Sequence, residues 1–534
     1  MSVQSIEAFA EAIGRAASAG KAHAAIGDIG SMLAAQPEIV SAMFESLVVA
    51  AQARKPNKHR LTGFVEILGA TCVELRQRKE SGIAAAGRTL DRLIAQIAEA
   101  GREGAIDSEL LMRLGAKLAE AKIAAAAGLR DVIENRAMAD EPTDFSPADM
   151  EAAMAQVAES SGNDPFFIFS QFSELTAAMP DAPRAAMAEL LLLSKTTALR
   201  EAALGFLLEA SPEVSGAAAQ ALGQMAQRGL LGPAARRYVI LLRPWLAASQ
   251  RAAIDAALQA AQRKPAGAAG GKFPHIEAMP ATAEVREVAM SAPDGAGAQS
   301  AFLVLKSGRK FCIASIMVKH GFGVRDVLVM KDVSKAKAEA FLAGMDEEIG
   351  AFDASLPTLR RLLAHGLAEN LASGEPPPFG LVEVLELSGM AQVEPHLLDA
   401  GAATARLLEA IPAAGKTEAA RAAAVQRSKS WSAIYQFADS WFEVSDASAE
   451  LLAAAKTKKR RVDLILEQLL PKLSHRWAGQ LAWTADALRE DTPDGDWRDM
   501  ALTADALLAG VPPRDIPLMR HIAELTEMAG RSTH

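Results

Sequence analysis

Cysteine is nearly missing: Cys72 and Cys312 are the only two in 534 residues. Two thiols exclude a disulfide framework and a four-cysteine zinc site, and both are expected to act as small buried hydrophobes in a reducing compartment. Tyrosine is equally scarce, with two, and nine scattered histidines leave few acid–base candidates. No excess of positive charge is present either. Fifty-six Lys and Arg against 65 Asp and Glu give a net charge of −9, so nothing draws the chain as a whole to nucleic acid or an anionic membrane. No run of eighteen uncharged apolar residues occurs, and the opening MSVQSIEAFAEAIGR is broken by Glu7, Glu11 and Arg15. Neither a membrane span nor a signal peptide is expected, and the expected location is cytoplasmic.

The common chemical motifs are missing too. DGAGAQ and HGFGV are glycine turns that match neither a phosphate loop nor a dinucleotide fingerprint. There is no G-x-S-x-G elbow and no Cys, His and Asp grouping around a nucleophile. EDTPDGDW (490–497) imitates a calcium loop. With Gly495 as the loop glycine, however, the last ligand position falls on Ala501, where a bidentate Glu is needed. His365 and Glu369 share one helix face at i, i+4, but two ligands are not a site and no third has a fixed spacing to them. No metal and no cofactor are therefore expected.

Ala, Leu, Glu and Arg at helical spacing fill most of the chain. Residues 1–140 read as a helical domain, with ARKPNKHR (53–60) as a basic loop and ADEPTDF (139–145) as an acidic linker. Residues 146–263 hold short helices that open near Ser146, Asp164, Ala182, Thr197, Ser211, Gly232 and Ser249, several with Pro just after the start. Their size, pairing and Pro placement resemble bacterial HEAT-like helical-repeat proteins of unassigned activity. The alternative is an irregular helical bundle. RKPAGAAGGKFP opens a linker that runs over 264–280.

One block breaks the helical text. Runs at 283–291, 299–305, 310–318 and 324–330 are rich in Val, Ile, Phe and Leu and are separated by turn residues, with Ser307-Gly308 as a hairpin signal. Ser334 can cap a helix over 335–349 whose apolar face is Ala338, Phe341, Leu342 and Met345. Residues 281–350 are thus expected to form an α+β module, a four-stranded antiparallel sheet with one helix. Both faces of 311–318 are apolar, so cover is expected on both sides. Residues 355–534 return to helix and hold Trp431, Trp441, Trp477, Trp483 and Trp497, read as core residues at helix interfaces.

The fold class read from the sequence is mainly α, HEAT-like helical domains with one inserted α+β module. The function it favours is a non-enzymatic scaffold or adaptor that binds a protein partner through helical-repeat surfaces. Two alternatives stay open. One is an enzyme with a site beside the α+β module, using Asp294, His320, Arg325 and Asp326. The other is a nucleic-acid-associated regulator using the basic loops 53–60 and 456–461.

Overall fold

The computed structural model describes residues 3–532 apart from 22, 24, 124–126, 140–146, 178, 263–281, 391, 493 and 494. The linkers expected at 139–145 and 264–280 and the cap expected at Ser146 lie almost wholly outside these residues. The chain divides into two compact units. The first holds the chain up to Leu190 together with Val444–Asp446; the second holds Leu191–Glu443 and Ala447–Ser532.

The first unit is helical. Its core gathers Ile6, Met43, Phe64, Leu68, Leu90, Leu111 and Ile133 from successive amphipathic helices. Cys72 lies in it as a free, buried thiol that burial pushes up to about 12. The helices Val3–Ser18 and Lys58–Glu80 meet backbone to backbone where a Cβ on Gly63 would overlap the Ala10 carbonyl. Asn57 caps the second of these by accepting from the amides of His59 and Arg60. The basic segment 53–60 is therefore a loop only as far as Asn57; Lys58, His59 and Arg60 form the first helical turn.

The second unit contains the sheet. Five antiparallel strands run in the order β4-β3-β2-β1-β5: β1 Glu284–Met290, β2 Ala298–Ser307, β3 Lys310–Lys319, β4 Gly323–Val333 and β5 Phe352–Asp353. The four expected strands are present. A fifth of two residues pairs with β1 through Ala289 and Met290, too short to leave a periodic signal. The β2–β3 hairpin pairs Ser307 with Lys310, so its turn is Gly308-Arg309, one residue later than expected. Gly308 takes φ +59, which suits a glycine at the first turn position.

Ser334 accepts from the Lys337 amide and caps the helix Lys335–Ile349, as its position predicts. This helix covers one face of the sheet. Ala338, with half-buried Phe341 and Leu342, packs on Val304, Ile313 and Val333, and Phe341 meets Phe302 edge to face at 5.7 Å between ring centroids. The opposite face carries buried Cys312, Ala314, Ile316 and Val318. It receives the helix Leu356–Ser373, whose Gly366 lies against Val318 and Val324. The two-sided apolar pattern of β3 thus corresponds to helical cover on both sides.

C-terminal to the sheet, the helices Ser474–Leu488 and Trp497–Leu508 build a core with Trp431, Trp441, Trp477 and Trp497. The β1–β2 connection docks there: Trp441 Nε1 donates to the Pro293 carbonyl at 2.9 Å, and Gln480 Nε2 to the Asp294 carbonyl at 2.6 Å. No helix among the described residues is long and apolar enough to cross a membrane.

Candidate functional site at the sheet turn

The turn that joins β3 to β4 is His320-Gly321-Phe322, closed by Phe322 N–H on the Lys319 carbonyl. Backbone pairing of His320 with Gly297 holds this turn against the β1–β2 connection. The Leu356–Ser373 helix then lies across it. Glu369 Oε1 accepts the Gly321 N–H at 2.6 Å. One turn earlier on the same helix, His365 sets its Nε2 3.2 Å from that Oε1. The i, i+4 pair seen in the sequence is thus real, and the fold adds His320 as the third member. Donor atoms of His320, His365 and Glu369 all lie within 4.8 Å of one another.

The proton positions follow from the neighbours. Gln299, fully buried on β2, donates its Nε2 to the Ser291 carbonyl, which turns its Oε1 toward His320 Nε2 at 3.1 Å. His320 therefore carries its proton on Nε2 and leaves Nδ1 as a bare lone pair. For His365, Nδ1 accepts the Leu398 N–H at 3.2 Å, so its proton sits on Nε2 and points at Glu369. Two buried acceptors, His320 Nδ1 and Glu369 Oε2, have no hydrogen-bond partner among the described residues. Burial, with His365 adding in the same direction, pushes the His320 imidazole down to about 3, so it stays neutral.

Trp483 closes the cluster. Its ring centroid lies 4.8 Å from that of His365 and 5.3 Å from that of His320. Of the five C-terminal tryptophans, this one lines the polar cluster; the other four lie in the aromatic core.

Of the polar candidates read beside the module, only His320 enters the cluster. Asp294 folds its carboxylate back on the amides of Ala296 and Ala298 and caps its own turn. Arg325 and Asp326 are consecutive on β4, where its pairing with β3 is irregular and Arg325 is the extra residue. Arg325 is buried and pairs with Glu375, whereas Asp326 is exposed. Sequence reasoning missed Gln299, Trp483 and Asn370. Asn370, one residue after Glu369, clasps the backbone of Val324, with its Oδ1 2.9 Å from the Val324 amide. Gln299 stands second in β2, ahead of its apolar stretch, so the only signal was a polar residue at the mouth of a strand.

Two arginines of the basic run at 456–461 are held in internal pairs, while Lys456, Lys458 and Lys459 are exposed. Thr457 caps the helix Lys458–Leu464, Arg461 reaches buried Glu527 at 2.6 Å, and Arg460 faces Glu467 at 3.4 Å.

Residues 401–531 match a family described as the Y4lR C-terminal helical domain, and residues 180–265 match the Y4lR second domain. The HEAT-like resemblance expected for 146–263 finds no support in these likenesses. No solved structure matches the chain. The chain is 28% identical over 384 residues to a protein of Sinorhizobium fredii (strain NBRC 101917 / NGR234) described as uncharacterized protein y4lR, covering 71% of this chain and 72% of that one.

Proposed function

We propose that this chain is a non-enzymatic, cytoplasmic scaffold that binds another protein through its helical surfaces, those of the repeat-like stretch 146–263 among them. One observation carries the reading. On the helix Pro165–Thr176, Phe167 and Leu175 stand two turns apart on one side and are 52% and 68% exposed. Large apolar side chains so placed are the anchors that protein interfaces desolvate. The polar cluster at the sheet turn supports the same reading. Its two acceptor atoms that have no partner among the described residues are shut off from solvent, whereas a catalytic base must reach a substrate.

The test is capture from native lysate with the tagged full chain, beside a Phe167→Ser, Leu175→Ser double variant checked for unchanged circular dichroism. A protein retained by the parent is then purified and titrated against both. At least a tenfold loss of affinity in the double variant is expected. Equal binding, or no stoichiometric protein partner, overturns the proposal.

A further inference from the structure

We propose that His320 Nδ1, His365 Nε2 and a carboxylate oxygen of Glu369 form a binding site for one divalent transition metal, zinc above all. The inference is independent of the scaffold reading. It starts from two buried acceptors, His320 Nδ1 and Glu369 Oε2, that have no donor among the described residues, and from one ligand atom each of His320, His365 and Glu369 lying within 4.8 Å of one another. Two buried lone pairs in one such cluster call for a cation or a bridging donor.

The donor set favours a transition metal. Two imidazoles and one carboxylate suit zinc and its neighbours, while magnesium and calcium prefer all-oxygen cages. His320 is already prepared as a ligand. Its Nε2 proton is held by Gln299 Oε1, itself oriented by Ser291, which is the outer contact a metal-bound histidine usually makes. Zinc bonds of about 2.0–2.1 Å in a tetrahedron separate ligand atoms by roughly 3.3 Å, so the cluster contracts on loading. His365 enters by moving its proton from Nε2 to Nδ1, which ends the contact with the Leu398 amide. No proton is lost to solvent in that shift. Trp483 closes the cluster on its ring side.

The test uses the full chain, freed of metal with a chelator and then dialysed against Zn2+ or Co2+. One equivalent of zinc per chain is expected by elemental analysis, and cobalt is expected to give a visible ligand-field band of low coordination number. His320→Gln and Glu369→Gln should each abolish that equivalent with circular dichroism unchanged. Gln299→Leu, which touches no metal, should weaken affinity about tenfold to a hundredfold. Amide exchange at Leu398 should speed up on loading, a readout that a merely adventitious surface ion would not move. Should a variant fail to fold, the cobalt band and the Leu398 exchange in the parent chain still decide the matter. Zinc bound equally by parent and variants, or no binding tighter than micromolar, overturns the inference and leaves a bridging water as the donor to both acceptors.

Discussion

Asn370 grips Val324 by both of its backbone polar groups: Oδ1 accepts the Val324 N–H at 2.9 Å, and Nδ2 donates to the Val324 carbonyl at 3.3 Å. The same Nδ2 also reaches the Glu375 carbonyl at 2.9 Å. A single buried amide therefore continues the hydrogen-bond ladder of β4 into the helix that covers it. The contact needs a bare backbone at Gly323, where a Cβ would overlap the Asn370 side chain.

Asn370→Leu keeps the bulk and removes every one of these bonds. Val324 would then hold a buried amide and carbonyl without partners, at a cost of about 2–3 kcal/mol. Urea unfolding of the full chain measures it. Loss of exchange protection at the Val324 amide should accompany the change; unaltered protection would show that the clasp carries no energy.

Ile316 is fully buried on the β3 face that meets the Leu356–Ser373 helix. Ile316→Asp places a charge there with no cation to meet it and should cost more than about 4 kcal/mol. Ile316→Val should cost only about 1 kcal/mol. Thermal melts of the two variants side by side separate charge burial from simple loss of packing.

Asp486 is 1% exposed and takes two arginines, Arg361 at 3.1 Å and Arg406 at 2.6 Å. Asp486→Asn preserves shape and removes the charge that both cations face. A loss of about 3 kcal/mol is expected. Replacing Arg406 as well should cost less than the sum of the two single changes, and a double-mutant cycle reads that coupling.

The Arg243 guanidinium beside Asp255 holds its carboxylate below the usual range, through bonds of 2.6 and 2.8 Å. Because the folded value lies below the unfolded value near 3.9, the pair stabilises fully above about pH 4. That contribution is lost as pH falls through the folded value. Both side chains are partly exposed, at 37% and 26%, which limits the effect to under about 1 kcal/mol. Asp255→Asn should lie below the parent chain at pH 7, and the gap should narrow as the pH falls below about 4; a gap that does not narrow in acid would contradict this account.

The sheet was legible in the sequence because strand alternation and turn chemistry are local. Ser334 as cap, the Gly308 hairpin and the two apolar faces of 311–318 all state their roles within a few residues. The turn slipped by one residue because Gly308 suits either register until pairing of Ser307 with Lys310 decides. The polar cluster was half legible. His365 and Glu369 announce themselves by helical spacing, but His320 joins them only through the fold. Nothing in local text links a turn residue to a helix 48 positions further on, as Gly321 is linked to Glu369. The two basic segments were legible only as charge: the runs are visible in sequence, and partners such as Glu527 for Arg461 are not.

The sheet also fixes an order of events. The amide of Ala283, at the entry to β1, donates to the carbonyl of Leu387 on the helix Gly380–Ser388. During synthesis that carbonyl emerges long after the strands. The nascent strands can pair with one another, but the seam at the start of β1 stays open until the Gly380–Ser388 helix arrives, and the face bearing Ile316 stays bare until its covering helix does. Long-range closure of this kind slows folding and prolongs exposure of apolar surface. A ribosome stalled before residue 356 would therefore carry a sheet with one side still open to chaperones.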